Sequence, residues 1–599
     1  MNTSKTITTL TGGNLYYIFL AGAHKIIEHQ KELNDINVFP VPDGDTGTNM
    51  ASTIRSIIER IKPDKSYKET AESIANAALD GARGNSGVIF AQFLYGTSNE
   101  TCDCQEMSIE KFALSVKNAV DYIYEAISEP VEGTMLTVIR EWAEHIYSSK
   151  EKVKDFQELL IGSYQVAKKS LGETTNKLQM LAKSKVVDAG AKGFVLFLEG
   201  ILELVKTKDI RKLIISKQDT IDISFDDSIS HETLTYRFCT EALIKAEKID
   251  KTELRNIIKN YGDSLVIAGS DKMVRIHIHT DQPQNLFNAI KDFGVMTYQK
   301  ADDMYRQYEV AHQRKHRIAL VTDSACDLSP ELIDHHQIHF VPINIFIGEN
   351  HYLDKVTMHP QNFYDLVDQS KEFAKTSQPN EKAFENLYAY LSSHYDSIIA
   401  IHLTSKFSGT FQNSMKSAAK ISKEFDKKIT VIDSRNLSGS LGLITLRIAQ
   451  EIEKEKSHEE IAQQVESWIN QSKILVSVKN LKYMVRGGRV SPMKEKIASL
   501  MNVKPIVSMN PDGTSALFDK AFSQKGNMKK VIKHIENHLE EKKLWNYIVL
   551  HANNPEGANW YIDKMKLLTG KDPVSVVNIS PVIGLSAGRG AVSVAYMVE

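Results

Sequence analysis

The chain has 599 residues, of which 42% are hydrophobic and 25% charged. These are ordinary globular values and provide for about three to five domains, each with a core of its own. A formal net charge of −2 and a pI of about 6.8 give no electrostatic case for nucleic acid or an anionic membrane as partner. The four cysteines, Cys102, Cys104, Cys239 and Cys326, build no disulfide framework, which fits a reducing cytoplasm. No secretory leader pattern opens the chain, and no window approaches 18 uncharged apolar residues, so the expectation is no transmembrane segment and at most transient membrane contact.

Residues 1–205 read as helical. Apolar residues recur at three- and four-residue spacing over Leu15–Ile27, Met50–Ile61, Ala71–Leu79, Ile109–Ile127 and Phe156–Leu171. Glycine-rich stretches, Asp80–Gly87 and Glu132–Met135, break the pattern. Before the second helix stands Asn37-Val-Phe-Pro-Val-Pro-Asp-Gly-Asp-Thr-Gly-Thr-Asn-Met50. Two prolines stiffen the approach, and one glycine bends the backbone between the carboxylates of Asp43 and Asp45. Hard oxygen ligands on a stiff turn suit Mg²⁺ held together with substrate phosphates; taken alone, the same residues also make a surface turn.

Residues 206–230 are polar and aperiodic, a linker. From 231 to 310 the rhythm changes to a small α+β module: a strand over Thr233–Thr240, a helix over Lys251–Tyr261, a strand pair Ser264–Ala268 and Val274–Thr280, and a helix over Pro283–Phe293. His277 and His279 are two apart on a strand, so both imidazoles share a face, and Cys239 on another strand is within reach as a third donor. Two strand histidines and an inert thiol are the plainer alternative. A basic connector occupies 311–316. Over 317–599 apolar runs end in polar residues: Ile318–Val321 before Thr322, Ile398–Leu403 before Thr404, Thr430–Ile432 before Asp433, and Tyr547–Leu550 before His551. Continuous apolar strands of this kind suit a parallel sheet covered on both faces, with ligands beyond the carboxyl ends of the strands. No internal repeat is evident.

Four stretches in order, Asn37–Met50, Asp80–Gly87, Glu132–Thr137 and Val186-Val-Asp-Ala-Gly-Ala-Lys-Gly193, resemble the DhaL-type nucleotide-binding domain of dihydroxyacetone kinases, and more closely the kinase component of bacterial fatty-acid kinase. The resemblance implies an all-α helical barrel binding ATP and Mg²⁺. It implies Asp43 and Asp45 as Mg²⁺ carboxylates, with Asn37 nearest to a third position at a spacing one residue longer. Thr46, Asn49 and Met50 follow on the same turn. Gly84, Asn85, Ser86 and Gly87 match the phosphate-contacting loop, Thr134 and Met135 the nucleotide pocket, and Asp188 a nucleotide-contacting aspartate. Each of these also has a local reading as a helix cap or a buried side chain. Arg237–Glu241, Tyr261–Leu265 and Val274–Thr280 resemble the middle domain of the catalytic components of fatty-acid kinases, which implies Zn²⁺ on Cys239, His277 and His279.

Residues 317–599 resemble the DegV family of fatty-acid-binding proteins, on Val321–Ser324, Lys375–Pro379, Phe407–Phe411, Val431–Ser434, Leu481–Arg489 and Val549–His551. The implied fold is α/β and two-lobed, holding an acyl chain with its carboxylate at hydroxyl donors. Thr376 and Ser408, with the adjoining Ser377 and Gly409, match the carboxylate-contacting positions. Arg489 and His551 match positions that meet a phosphorylated head group. Ser586 and Arg589 stand where the family often carries His and Pro, and Lys406 where a small residue is common.

The combination implies a fatty-acid kinase that phosphorylates the carboxylate of an acid held by its own C-terminal half. Its partners would be the fatty acid, an acyltransferase consuming the acyl phosphate, and a second copy of the chain if transfer runs between copies. Two other readings stay open: a dihydroxyacetone-type (glycerone) kinase, and a lipid-binding regulatory protein with an inactive kinase domain.

Overall fold

The computed structural model describes residues 6–39, 44–207, 234–370, 372–479, 483–484 and 503–599. The chain divides into two compact units, residues 1–313 and 314–599. Among the described residues no helix is long and apolar enough to cross a membrane.

The first part of unit one is helical: α1 (Gly12–Glu28), α2 (Gln30–Asp35), α3 (Thr46–Arg60), α4 (Tyr67–Gly81), α5 (Gly84–Asn99), α6 (Ile109–Ala126), α7 (Met135–Ser149), α8 (Phe156–Lys177), α9 (Gln179–Ser184) and α10 (Ala189–Thr207), with a minimal ribbon of β1 (Thr9–Thr11) and β2 (Glu106–Ser108). Local chemistry sets the starts. Thr11 and Asn14 form a reciprocal cap on α1, and Ser66, Ser108 and Asp155 each accept a first-turn amide of the helix that follows. Such a cap contributes about 1 kcal/mol. The apolar stripes of α1, α3 to α8 and α10 close around one core containing Ile26, Ile54, Ile74, Phe90, Ile123, Ile139 and Phe194. The break expected over Asp80–Gly87 is narrower than the sequence suggests. Helix runs on both sides of it, and only Ala82 and Arg83 lie between α4 and α5.

The α+β module of unit one is a four-stranded antiparallel sheet in the order β4-β5-β3-β6, from β3 (Phe238–Lys245), β4 (Asp263–Gly269), β5 (Met273–Thr280) and β6 (Val295–Asp303). Helices α11 (Lys251–Ile258), α12 (Pro283–Ile290) and α13 (Met304–His312) accompany it. The strand expected over Thr233–Thr240 lies later, because Ala242, Leu243 and Ile244 are buried and carry the pairing on to Lys245. Val266 and Ala268 of β4 join the helical core. Gln92 of α5 accepts the Gly269 amide at 2.7 Å, and Ser128 donates its amide to Leu265 O at 3.1 Å. Helical region and module therefore share one compact unit.

Unit two holds a parallel sheet β13-β12-β7-β8, from β7 (Ile318–Asp323), β8 (His339–Val341), β12 (Ser397–His402) and β13 (Lys428–Asp433), and an antiparallel sheet β10-β9-β11, from β9 (Asn344–Ile347), β10 (Asn350–Leu353) and β11 (Lys375–Ser377). A six-stranded sheet β16-β15-β14-β19-β17-β18 is built from β14 (Ser472–Ser477), β15 (Lys504–Met509), β16 (Ser515–Ala521), β17 (Leu544–His551), β18 (Ser575–Asn578) and β19 (Val592–Val598). The all-parallel expectation holds for the first sheet alone. In the last, β19 inserts between β14 and β17 and runs antiparallel to both, and only β17 and β18 are parallel. The helices are α14 (Pro330–His335), α15 (Pro360–Gln369), α16 (Glu381–His394), α17 (Thr410–Phe425), α18 (Ser438–Glu453), α19 (His458–Gln471), α20 (Gln524–Glu541), α21 (Pro555–Thr569) and α22 (Pro581–Ala587).

Candidate functional site

Asp45 precedes the first turn of α3, and its Oδ2 accepts a hydrogen bond from Asn49 Nδ2 at 2.7 Å. Asn49 in turn lies against the α4–α5 break. A Cβ on Gly84 would stand 2.3 Å from Asn49 Nδ2, and one on Gly87 would stand 2.4 Å from Thr53 Oγ1. Gly84 also has φ of +60°, where side chains are strained, so both the space and the backbone require glycine. The Arg83 amide donates to Thr53 Oγ1 at 3.0 Å. The start of α5 is thus pressed onto the start of α3, with Asn85 and Ser86 half-buried beside it. The Asn85 Oδ1 atom is buried and has no hydrogen-bond partner among the described residues. Thr46 is buried at the head of α3. Met50 is 1% exposed and packs under Gly193, where a Cβ would meet its sulfur at 2.4 Å. Asn37 is buried just after α2, its amide donating to Asn34 O at 3.0 Å. Asp43 lies outside the described residues.

Ser86 approaches the heads of two further helices, since a Cβ on Gly190 would lie 2.9 Å from Ser86 Oγ and 3.5 Å from both Asp188 Oδ1 and Met135 Cβ. Asp188 Oδ1 accepts the Met135 amide at 3.0 Å and the Ala191 amide at 2.8 Å, capping α7 and α10 at once. Burial pushes its carboxyl up to about 6, against the pull of those two amides. Thr134 caps α7 and donates to Val131 O at 2.8 Å. The starts of α3, α5, α7 and α10 are therefore tied together, two by two, through Asn49, Ser86 and Asp188. Free amides and the positive ends of helix dipoles at such a place favour anionic groups.

The sheet of the module turns a polar face toward this place. Register sets Cys239 opposite His279 and Glu241 opposite His277 across β3 and β5, and Cys239 opposite Asp302 and Glu241 opposite Lys300 across β3 and β6. Alternation keeps these side chains on one face while Ala242, Ile244, Ile276 and Ile278 fill the other. Cys239, His277 and His279 offer three donor atoms within 4.8 Å of one another. The Cys239 sulfur is 4.0 Å from His277 Nδ1, and His277 Nε2 is buried without a hydrogen-bond partner among the described residues. Burial lowers the His277 pKa and pushes the Cys239 thiol well up. A neutral imidazole with a free ring nitrogen, a second imidazole and a thiol make a donor set that fits zinc. Asp45 acts electrostatically on both Cys239 and His277, so the donor set lies near the α3 turn. Glu241 is fully buried. Burial opposes its ionisation, but the Arg275 guanidinium, 2.8 Å away, together with His277 and Lys300, outweighs this and holds the carboxyl below the usual range. A second donor set, His335, His336 and Glu453, lies in unit two, with Glu453 Oε1 2.9 Å from His336 Nδ1 and 3.5 Å from His335 Nε2.

In unit two a cavity of about 130 Å³ opens between the six-stranded sheet and the loops at the ends of β11, β12 and β17. Its walls include Leu437, Ile474, Val476, Val507, Leu550 and Ile579, and its polar lining includes Thr376, Ser377, Gln378, Ser408, His551 and Ser586. Thr376 and Ser377 are on β11, Ser408 precedes α17, and His551 ends β17, so the fold brings these four sequence-predicted residues to one cavity. Ser408 Oγ is 2.7 Å from Thr410 Oγ1. Gly409 stands behind the wall, its missing Cβ leaving room for Gln378 at 2.5 Å. His551 Nδ1 accepts the Asn554 amide at 3.2 Å, and burial lowers its pKa. The neutral ring therefore carries its proton on Nε2. Arg489 lies outside the described residues. Arg589 pairs with Asp365 and Asp368 of α15.

Asp323, His402 and Ser414 form a relay in the same unit: Asp323 Oδ2 is 3.2 Å from His402 Nδ1, and His402 Nε2 is 2.8 Å from Ser414 Oγ. All three are fully buried and none lines the cavity, so the relay ties the ends of β7 and β12 to α17. Sequence reasoning missed Glu241 and Arg275, and also Gln378, which lines the cavity. Glu241 and Arg275 do carry a signal, each standing two residues from a metal-donor position on the same strand.

Comparison with known proteins places these observations. Residues 40–203 match the DAK2 domain, 235–311 the FakA-like middle domain of fatty acid kinase, and 317–599 the DegV family, described as uncharacterised. An uncharacterised protein of Staphylococcus epidermidis is 33% identical over 312 residues, covering 50% of this chain and 56% of that protein. Protein YloV of Bacillus subtilis is 31% identical over 315 residues, covering 50% and 57%. The match thus spans a little over half the length of these curated relatives. Among solved structures, DegV, a fatty acid binding protein from Bacillus subtilis, shares 27% identity over 48% of this chain and 100% of its own, with a TM-score of 0.43. A fatty-acid-binding DegV family protein from Thermus thermophilus shares 24% over 47% and 100%, with a TM-score of 0.44.

Proposed function

We propose that this chain, which joins a DAK2 domain, a FakA-like middle domain and a DegV-family domain, is a fatty-acid kinase carrying its own acyl-binding domain. The observation that carries the reading is the cavity of unit two, apolar in its walls and supplied with hydroxyls by Thr376, Ser377 and Ser408, in the same chain as a kinase-type domain. An acyl chain gains about 25 cal/mol per Å² of apolar surface removed from water, and hydroxyls bind a carboxylate without pairing it with a fixed positive charge. The acid stays ionised and nucleophilic, so no general base is required.

In the reaction a carboxylate oxygen forms a bond to the γ-phosphorus of ATP, the bond from that phosphorus to the β,γ-bridging oxygen breaks, and ADP leaves with the electron pair. The products are an acyl phosphate and ADP. Positioning and charge neutralisation do the catalytic work. Asn49 fixes the rotamer of Asp45, the start of α5 presents amides to phosphate oxygens, and Asp188 locks the heads of α7 and α10. Asp43 and Asp45 would hold Mg²⁺, which supplies neutralisation of phosphate charge. Cys239, His277 and His279 would hold zinc, which supplies a cross-link between β3 and β5. His551, with its Nε2 proton, would donate to a phosphorylated head group, with Arg489 as the accompanying cation.

The test is ATP turnover by the full chain with and without palmitate or oleate, with the acyl phosphate trapped by hydroxylamine as a hydroxamate. Fatty-acid-dependent ADP release with matching hydroxamate is the expected result. Turnover indifferent to every long-chain acid, or supported by dihydroxyacetone instead, overturns the proposal.

A further inference from the structure

The α4–α5 break is gripped by the strand face of the module. Glu241 Oε1 accepts the Gly84 amide at 2.7 Å. Its other oxygen, Oε2, pairs with Arg275 Nη2 at 2.8 Å, and the same nitrogen donates to Ala82 O at 2.5 Å. Arg275 Nη1 reaches toward Asp80 O at 3.5 Å. Arg275 also stacks on the Tyr298 ring at 4.4 Å. Both charged side chains are almost wholly buried, at 0% and 1% exposure. Replacing such a pair by apolar residues is often neutral or stabilising, so stability alone gives little reason for it. Geometry gives a better one. The pair satisfies an amide on one side of the break and carbonyls on the other, and so dictates where α5 begins.

We propose that Glu241 and Arg275 are positioning residues for the phosphate-contacting loop: Glu241 consumes the Gly84 amide, so that the amides of Asn85, Ser86 and Gly87 are the ones presented to phosphate, and Arg275 fixes the preceding peptide units. The middle domain thereby completes the nucleotide site of the helical domain through its strand face. This rests on the kinase reading of the helical domain.

Two double variants separate positioning from stability. Glu241→Gln with Arg275→Met removes both charges but keeps an oxygen for the Gly84 amide. Glu241→Leu with Arg275→Met removes that oxygen as well, with similar volume. Affinity for a non-hydrolysable ATP analogue with Mg²⁺ is measured by calorimetry on the full chain, beside the folded fraction and the KM and kcat of each variant. The Leu variant is expected to bind the analogue at least tenfold more weakly than the Gln variant at equal folded fraction. Equal affinity overturns the proposal. Should either variant not fold, amide exchange of residues 80–90 in the wild-type chain decides. Slow exchange at Gly84 without nucleotide supports the bond to Glu241, and exchange at the free-loop rate overturns it. Failure of the kinase reading looks different: the wild-type chain itself would then bind no analogue.

Discussion

Replacing Gly84 by alanine tests the packing of the two helix starts. The backbone at this position has φ of +60°, where an L-residue costs about 1–2 kcal/mol. The new methyl would also stand 2.3 Å from Asn49 Nδ2 and 2.8 Å from Asn49 Cγ, so the amide must swing away. Its 2.7 Å bond to Asp45 is then lost, and a hydrogen bond to a charged group contributes about 1.5–3 kcal/mol. The two effects together come to roughly 2.5–5 kcal/mol, divided between the stability of unit one and nucleotide affinity. Calorimetry with an ATP analogue and Mg²⁺ is expected to show affinity at least tenfold lower, while fatty-acid binding by unit two is unchanged. The control is the same substitution in an Asn49→Ala background. There the Cγ and Nδ2 contacts are gone and only a 3.1 Å contact to Cβ remains, so the further cost of Gly84→Ala should shrink toward the backbone term alone. Equal costs in both backgrounds, or unaltered nucleotide affinity, would refute the argument that Gly84 and Asn49 share one space.

Cys239→Ser is expected to lower zinc content by elemental analysis and the melting temperature of unit one, with fatty-acid affinity unchanged; full zinc retention in the variant counts against the donor set. For Asp188, the native carboxyl titrates near 6 rather than 3.8 because of burial, so the folded state binds more protons between these values. Stability should therefore fall as pH rises from about 4 to 6, by roughly 3 kcal/mol at most, and be level above. Asp188→Asn keeps an acceptor for the Met135 and Ala191 amides and should flatten that slope in denaturant titrations; an unaltered slope would show that another group causes it. Thr376→Val and Ser408→Ala should each weaken fatty-acid binding roughly 10- to 100-fold by the loss of a bond to a carboxylate, and unchanged affinity in both would remove the hydroxyls from the head-group site.

Much of this protein is local and so legible along the chain. Apolar spacing marks α1, α3, α4, α6 and α8, because an amphipathic helix writes its buried stripe at a fixed period. The fold classes of the three regions and their family likenesses follow from motifs carried on short segments, and the cavity hydroxyls Thr376 and Ser408 are readable with them. The alternation of β5 places His277 and His279 on one face for the same reason of period. What no segment states is which distant groups meet. Glu241 stands 157 residues from Gly84 in the chain, yet accepts its amide, and Arg275 closes on Ala82 from 193 residues away. Met50 and Met135 carry motif signatures, but packing puts both in the core. The insertion of β19 between β14 and β17 likewise turns an expected parallel sheet into a mixed one and supplies a wall of the cavity. Periodicity and capping depend on neighbours within a few residues and are fixed by composition in that window. Buried charge pairs, loop conformation and cavity walls depend on desolvation by remote parts of the chain, and only the folded unit decides them.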